Sequence, residues 1–179
     1  MSSSLLLTLL TLCALTTPLV AMPAPTCRFH GYLVKESLKL LRQLGGRDFP
    51  GSCLPYNHNI SFPDSAFPQA SANRLQCHQA LKVIYALLEG VELILANSTC
   101  PSTWDESTLD TFRNLQDQLL DQGHCFSDRG SSELFSAYFN NMTTVLEQEV
   151  GSECGWAVLK KDLVTVLDSA LHKYHKCLK

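Results

Sequence analysis

The chain has 179 residues, 45% of them hydrophobic and 17% charged, with 14 Lys or Arg against 17 Asp or Glu and a formal net charge of −3. That apolar content is too high for a disordered chain, and the charge balance too even for a protein that holds nucleic acid through a basic field. Eight cysteines in so short a chain point to an oxidising compartment and a disulfide framework.

Leu5 to Leu15 form an apolar run followed by Pro18 and small residues ending near Ala21 or Ala24, the layout of a secretory signal. The run is too short for a membrane span of about 20 apolar residues. We expect residues 1–21 to be removed and residues 22–179 to form a single helical domain outside the cell, without membrane insertion. Three sequons agree with export: Asn59-Ile-Ser61, Asn97-Ser-Thr99 and Asn141-Met-Thr143. A single sequon often marks an unmodified surface Asn; three in an exported chain imply at least one glycan.

The remainder reads as helices. Leu33, Ser37, Leu40, Leu41 and Leu44 recur at helical spacing and stop at Gly45-Gly46, a left-handed terminator. From Arg47 to Gln69 the chain is rich in Pro, Gly, Asn and Ser, and Phe49-Pro50, Phe62-Pro63 and Phe67-Pro68 disfavour helix, which predicts a long loop with apolar anchors. Cys77, Leu81, Ile84, Leu88, Val91 and Leu95 give the second helix a wide apolar face. Thr103 and Glu106 form a Thr-x-x-Glu capping box before the third helix, whose stripe is Leu109, Phe112, Leu115 and Leu119 and which ends at Gly123. Past a polar loop at Gly130-Ser-Ser132, Phe135, Tyr138, Met142 and Leu146 mark a fourth helix that stops at Gly151. Trp156, Leu159, Leu163, Val166, Ala170 and Tyr174 mark the fifth.

Five amphipathic helices suit an all-α bundle. A connection of about 20 residues carries the chain back along a whole helix, so the second helix starts parallel to the first, whereas the short loops after it force antiparallel neighbours. The path is up-up-down-up-down. It restricts the disulfides: Cys27 heads the first helix and Cys125 follows the antiparallel third, while Cys53 follows the first and Cys154 heads the antiparallel fifth. A Cys27–Cys154 bridge would span about 25 Å, far beyond the 4.4–6.8 Å that a disulfide tolerates between Cα atoms. Cys27–Cys125 and Cys53–Cys154 are therefore expected. Cys77 and Cys177 fall at one end of the bundle, either bridged or with Cys77 as a core thiol, and Cys100 is left as a free thiol or a link to another chain.

Cys27, Cys53-Leu54 in the long loop, Thr103-Trp-Asp-Glu-Ser-Thr-Leu-Asp-Thr-Phe112, Cys125 and Cys154-Gly-Trp156, in this order and at these intervals, resemble the type I interferons over nearly all of residues 22–179. The matched cysteines are those that pair in four-cysteine members, and the short Cys125–Cys154 interval with the extra Cys77, Cys100 and Cys177 looks like a fish-type member. The resemblance implies a secreted helical cytokine that binds a two-chain class II cytokine receptor, the type I interferon receptor, and activates receptor-associated kinases and antiviral transcription, without catalysis or cofactor. In that family the first helix, long loop and fifth helix face the high-affinity receptor chain, and the second to fourth helices face the other. Leu54 matches a loop leucine that anchors the first contact, Lys160, Lys161, Val164 and Thr165 occupy contact positions on the last helix, and Asn57 stands where mammalian members carry an arginine.

Charge divides the chain independently of the resemblance. Residues 28–76 carry six Lys or Arg and three acids, residues 77–153 three against twelve, and residues 154–179 five against two. Two oppositely charged faces steer different partners, although solvated helix faces give the same count. No Gly-x-Ser-x-Gly, His-Glu-x-x-His or phosphate loop is present, and no nucleic-acid module. His172 and His175 have a spacing compatible with a metal but sit in a lysine-flanked helix end. The rival readings are an interleukin-10-like or type III interferon-like cytokine, and a secreted helical carrier of an apolar ligand, which would need an internal cavity. A monomer is expected.

Overall fold

The computed structural model describes residues 27–46, 48–60, 62–68, 74–127, 135–148 and 151–179. The expected signal at residues 1–21 and the Gly130-Ser-Ser132 loop lie outside them. The described elements are helical, in the order α1 (Gly31–Gln43), α2 (Leu54–Asn59), α3 (Arg74–Asn97), α4 (Glu106–Gly123), α5 (Ser136–Leu146) and α6 (Ser152–His172), with short 3-10 turns between some of them.

Helix α1 buries Val34, Ser37, Leu38 and Leu41, one face of a 3.6-residue period. It stops where Gly45 and Gly46 adopt φ of 62° and 87°, a region costly for any residue with a Cβ. The expected helix-free loop needs a correction, since it contains α2. Pro55 sits in the first turn of that helix, where a missing N–H leaves no hydrogen bond unmade. The start of α4 also differs. Its N-cap is Asp105, which accepts from Thr108 N at 2.8 Å and Thr108 Oγ1 at 2.6 Å, so Thr103, the expected cap, lies two residues before the residue that caps the helix. A carboxylate there meets the positive end of the helix dipole as well as its free N–H groups.

Long-range contacts give the direction of each helix. Gln116 Nε2 donates to Leu88 O and Arg113 Nη2 to Leu95 O, so α4 runs antiparallel to α3. Tyr138 reaches Asp162 while Gly155 lies under Leu146, so α5 and α6 are antiparallel. Gly31 N donates to Lys179 O and Lys179 N to Phe29 O, which sets the end of α6 beside the start of α1. The path is up-up-down-up-down, with α2 as a sixth helix inside the crossover.

Helix α3 accounts for its apolar surface by position: Leu81, Ile84, Leu87, Leu88 and Val91 are all at most 2% exposed, and the helix packs on both α4 and α6. Three bridges staple the bundle. Cys27–Cys125 and Cys77–Cys177 close one pole, with Cα atoms 6.0 and 5.2 Å apart, and Cys53–Cys154 closes the other at 5.1 Å. Cys100 is a free, half-buried thiol beside Arg113, and burial pushes its pKa up.

Candidate functional site

A cleft of about 690 Å³ opens along one side of the bundle, between the end of α1, the following loop, the 101–104 turn and the first half of α6. Its walls are tied together by side chains from distant parts of the sequence. Trp156 Nε1 donates to Thr99 O at 3.0 Å, and its ring meets Trp104 edge-on at 5.2 Å. A Cβ at Gly45 would lie 2.5 Å from Trp104 Nε1, so this glycine supplies both the backbone turn and the room for the indole.

Four of the five residues matched to receptor contacts lie in this cleft, and Leu54 lies outside its lining. Lys160, Lys161, Val164 and Thr165 line the cleft. Leu54, the first residue of α2, stands 60% exposed, held against α6 by the adjoining Cys53–Cys154 bridge. The two lysines differ sharply from free surface cations. Lys160 Nζ donates to the carbonyl oxygens of Leu44 and Gly46, and its burial draws its pKa down. Lys161 Nζ donates to Asn57 Oδ1 at 2.5 Å and lies 2.7 Å from Asp162 Oδ1. Asp162 is 3% exposed and accepts from Tyr138 Oη at 3.0 Å. Burial pushes the Asp162 carboxyl up, against the opposing pull of Lys161 and Tyr138, and pushes the Tyr138 hydroxyl up as well. Thr165 Oγ1 is turned back onto Lys161 O, and Val164 is half-buried. The arrangement presents an exposed leucine on a segment bridged to α6, the helix that forms one wall of a polar-rimmed trough, which suits docking.

Trp104, Phe49 and Arg42 also line the cleft. Trp104 had a sequence signal, but only as part of a helix-start motif; Phe49 had one as a loop anchor. Arg42 bridges to Asp168 at 2.6 Å, a pairing between α1 and α6 that no local motif encodes. His172 Nδ1 sits 3.3 Å from Asp168 Oδ2, and no group of three metal-binding side chains occurs among the described residues.

The Interferon alpha/beta domain family matches residues 28–172, which takes in all of these elements. The chain belongs to the interferon alpha/beta family. Bos taurus interferon alpha-B is 28% identical over 159 residues, 82% of each sequence, and Bos taurus interferon alpha-G is 30% identical over 153 residues, 79% of each. The solved structure of zebrafish interferon 2 matches with a TM-score of 0.66 at 27% identity, covering 82% of this chain and 99% of that one. This interferon is accordingly a type I interferon-like cytokine and not an enzyme. Among its described residues no helix is long and apolar enough to cross a membrane.

Proposed function

We propose that this chain is a fish-type interferon, exported by a signal at residues 1–21, that acts as a monomer and joins the two chains of a class II cytokine receptor. The high-affinity chain docks on α1, the α2 loop and α6, and the other chain docks on α3, α4 and α5. Joining them activates receptor-associated kinases and antiviral transcription. The observation that carries this reading is Leu54: a large aliphatic side chain left 60% exposed on a segment that a disulfide fixes to the helix bearing Lys160, Lys161, Val164 and Thr165. An aliphatic side chain held out of the core by a covalently braced segment gains by being buried against a partner, at about 25 cal/mol per Å² of apolar area removed from water.

The test pairs binding with signalling. Surface plasmon resonance against each receptor ectodomain of the source species should show Leu54→Ala weakening binding to the high-affinity chain by about five- to thirty-fold, from the loss of about 1–2 kcal/mol of apolar burial. Its thermal stability should stay within about 0.5 kcal/mol of the parent, because little of the side chain is buried. A purified protein that induces no kinase-dependent antiviral transcription at any dose in cells of that species would overturn the reading.

A further inference from the structure

A second surface groove, of about 320 Å³, runs between α3 and α5. Its floor forms because Gly90 lets Phe139 approach: a Cβ at Gly90 would lie 2.0 Å from that ring. Leu93 borders it and is 61% exposed, while Glu89, Asn140 and Thr143 add polar groups. At one end lies Asn97, which lines the groove and is also the acceptor of the Asn97-Ser-Thr sequon. Its Nδ2 donates to Leu93 O at 2.7 Å, so the amide points back along the groove rather than away from the protein.

We propose that the groove is the seat of the chain's own N-linked glycan at Asn97. Transfer from a lipid-linked oligosaccharide pyrophosphate forms a bond from Nδ2 to the anomeric carbon and breaks the sugar–pyrophosphate bond. The lipid pyrophosphate leaves with the amide proton, and one N–H remains to keep the contact with Leu93 O. The first sugars are thereby tethered at the groove mouth, where their effective concentration is high. From Asn97 back to Glu89 the helix rises about 12 Å, a length that a two-sugar core spans. Sugars carry apolar C–H faces and polar edges, and this lining has both: the Phe139 ring and Leu93 for the faces, and Asn140, Thr143 and Glu89 for the hydroxyls. The seat rests on export, and it lies on the face assigned above to the second receptor chain, so the glycan covers part of that surface.

The test uses full-length protein secreted from eukaryotic cells. Thr99→Ala removes the sequon but leaves Thr99 O to accept from Trp156; Asn59→Gln, on α2, is the control. Mass spectrometry should find Asn97 occupied. Hydrogen exchange in 86–98 and 136–143 should be about five-fold slower with the sugar than in Thr99→Ala, the equivalent of covering half a leucine, and Asn59→Gln should leave it unchanged. Should Thr99→Ala fail to fold, release of the whole glycan from the native protein by a peptide N-glycosidase gives the same comparison. A secreted protein bare at Asn97, or one whose groove exchanges equally with and without the sugar, overturns the seat. So does protection that survives sugar removal and grows with protein concentration, which would assign the groove to a second copy. Retention of every copy inside the cell would overturn export, and the seat with it.

Discussion

Lys160 on α6 donates to the carbonyl oxygens of Leu44 and Gly46, so the last helix caps the first. Those carbonyls lie at the end of α1, where the chain's helical hydrogen bonding stops and the dipole is negative. Lys160→Met keeps the aliphatic stem and removes the donors. It should cost about 1–3 kcal/mol, the penalty for unsatisfied carbonyls beside the buried Leu44. Thermal denaturation should show the midpoint falling by about 2–4 °C for each kcal/mol, with Lys160→Arg close to the parent. An unchanged midpoint in Lys160→Met would count against the cap. Loss of receptor binding in a charge-reversed Lys160 variant would then report both a disturbed loop and an altered rim, which makes Leu54→Ala the cleaner probe of docking.

Asp162 gives a pH prediction whose sign runs opposite to that of most carboxylates. Its folded pKa is raised, mainly by burial, above the unfolded value of about 3.9. The folded state therefore holds the proton more tightly. Asp162 contributes stability that is fully present below the unfolded pKa and is lost as pH rises through the folded one. Groups facing it are Tyr138, Lys161 and, more distantly, Asp64. Melting of the parent and Asp162→Asn from pH 7 to pH 4 should show the parent gaining on the variant as pH falls; a constant difference would show that Asp162 does not titrate in this window.

Gly90 opposes two effects of known size. Alanine in a helix interior is favoured over glycine by about 1 kcal/mol, but a Cβ here would overlap Phe139, and overpacking costs about 1–3 kcal/mol. Gly90→Ala should lose about 1 kcal/mol net in chemical denaturation, and Gly90→Ala with Phe139→Leu should recover it. If Gly90→Ala alone is stabilising, the Phe139 ring moves aside more easily than the packing implies.

The Cys77–Cys177 bridge closes a span of 100 residues. Replacing both by serine should lower stability by about 2–5 kcal/mol, read as an earlier denaturant midpoint. Non-reducing peptide mapping of the parent should recover Cys77 joined to Cys177 and Cys100 alone; Cys77 joined to Cys100 would refute the arrangement.

The periodic stripes made most of the bundle readable from sequence, because an apolar face must repeat as the helix turns. On α1 the expected stripe is off at its edge, since Ser37, Leu41 and Leu44 are buried as expected but with Val34 and Leu38 beside them, while Leu33 and Leu40 are only half-buried. Loop length carried the parallel start of α3 in the same way. What escaped depends on competition between neighbours. Thr103 and Asp105 are both good caps, and only where the turn begins decides between them. Pro55 reads as a helix breaker until its place in a first turn is known. The cleft is harder still: Gly45 and Phe49 follow α1, Trp104 sits in the turn before α4 and Lys160 on α6, and no spacing rule links these three segments. The same holds for Asn97, whose sequon is local but whose groove is made by α5.

The three bridges overlap along the chain, joining 27 to 125, 53 to 154 and 77 to 177. Every peptide bond between Cys27 and Cys177 is therefore spanned by at least one of them. A protease that nicks this cytokine once, at any loop, releases nothing. The two pieces stay covalently joined, and in reducing conditions alone would an electrophoretic band reveal the cut.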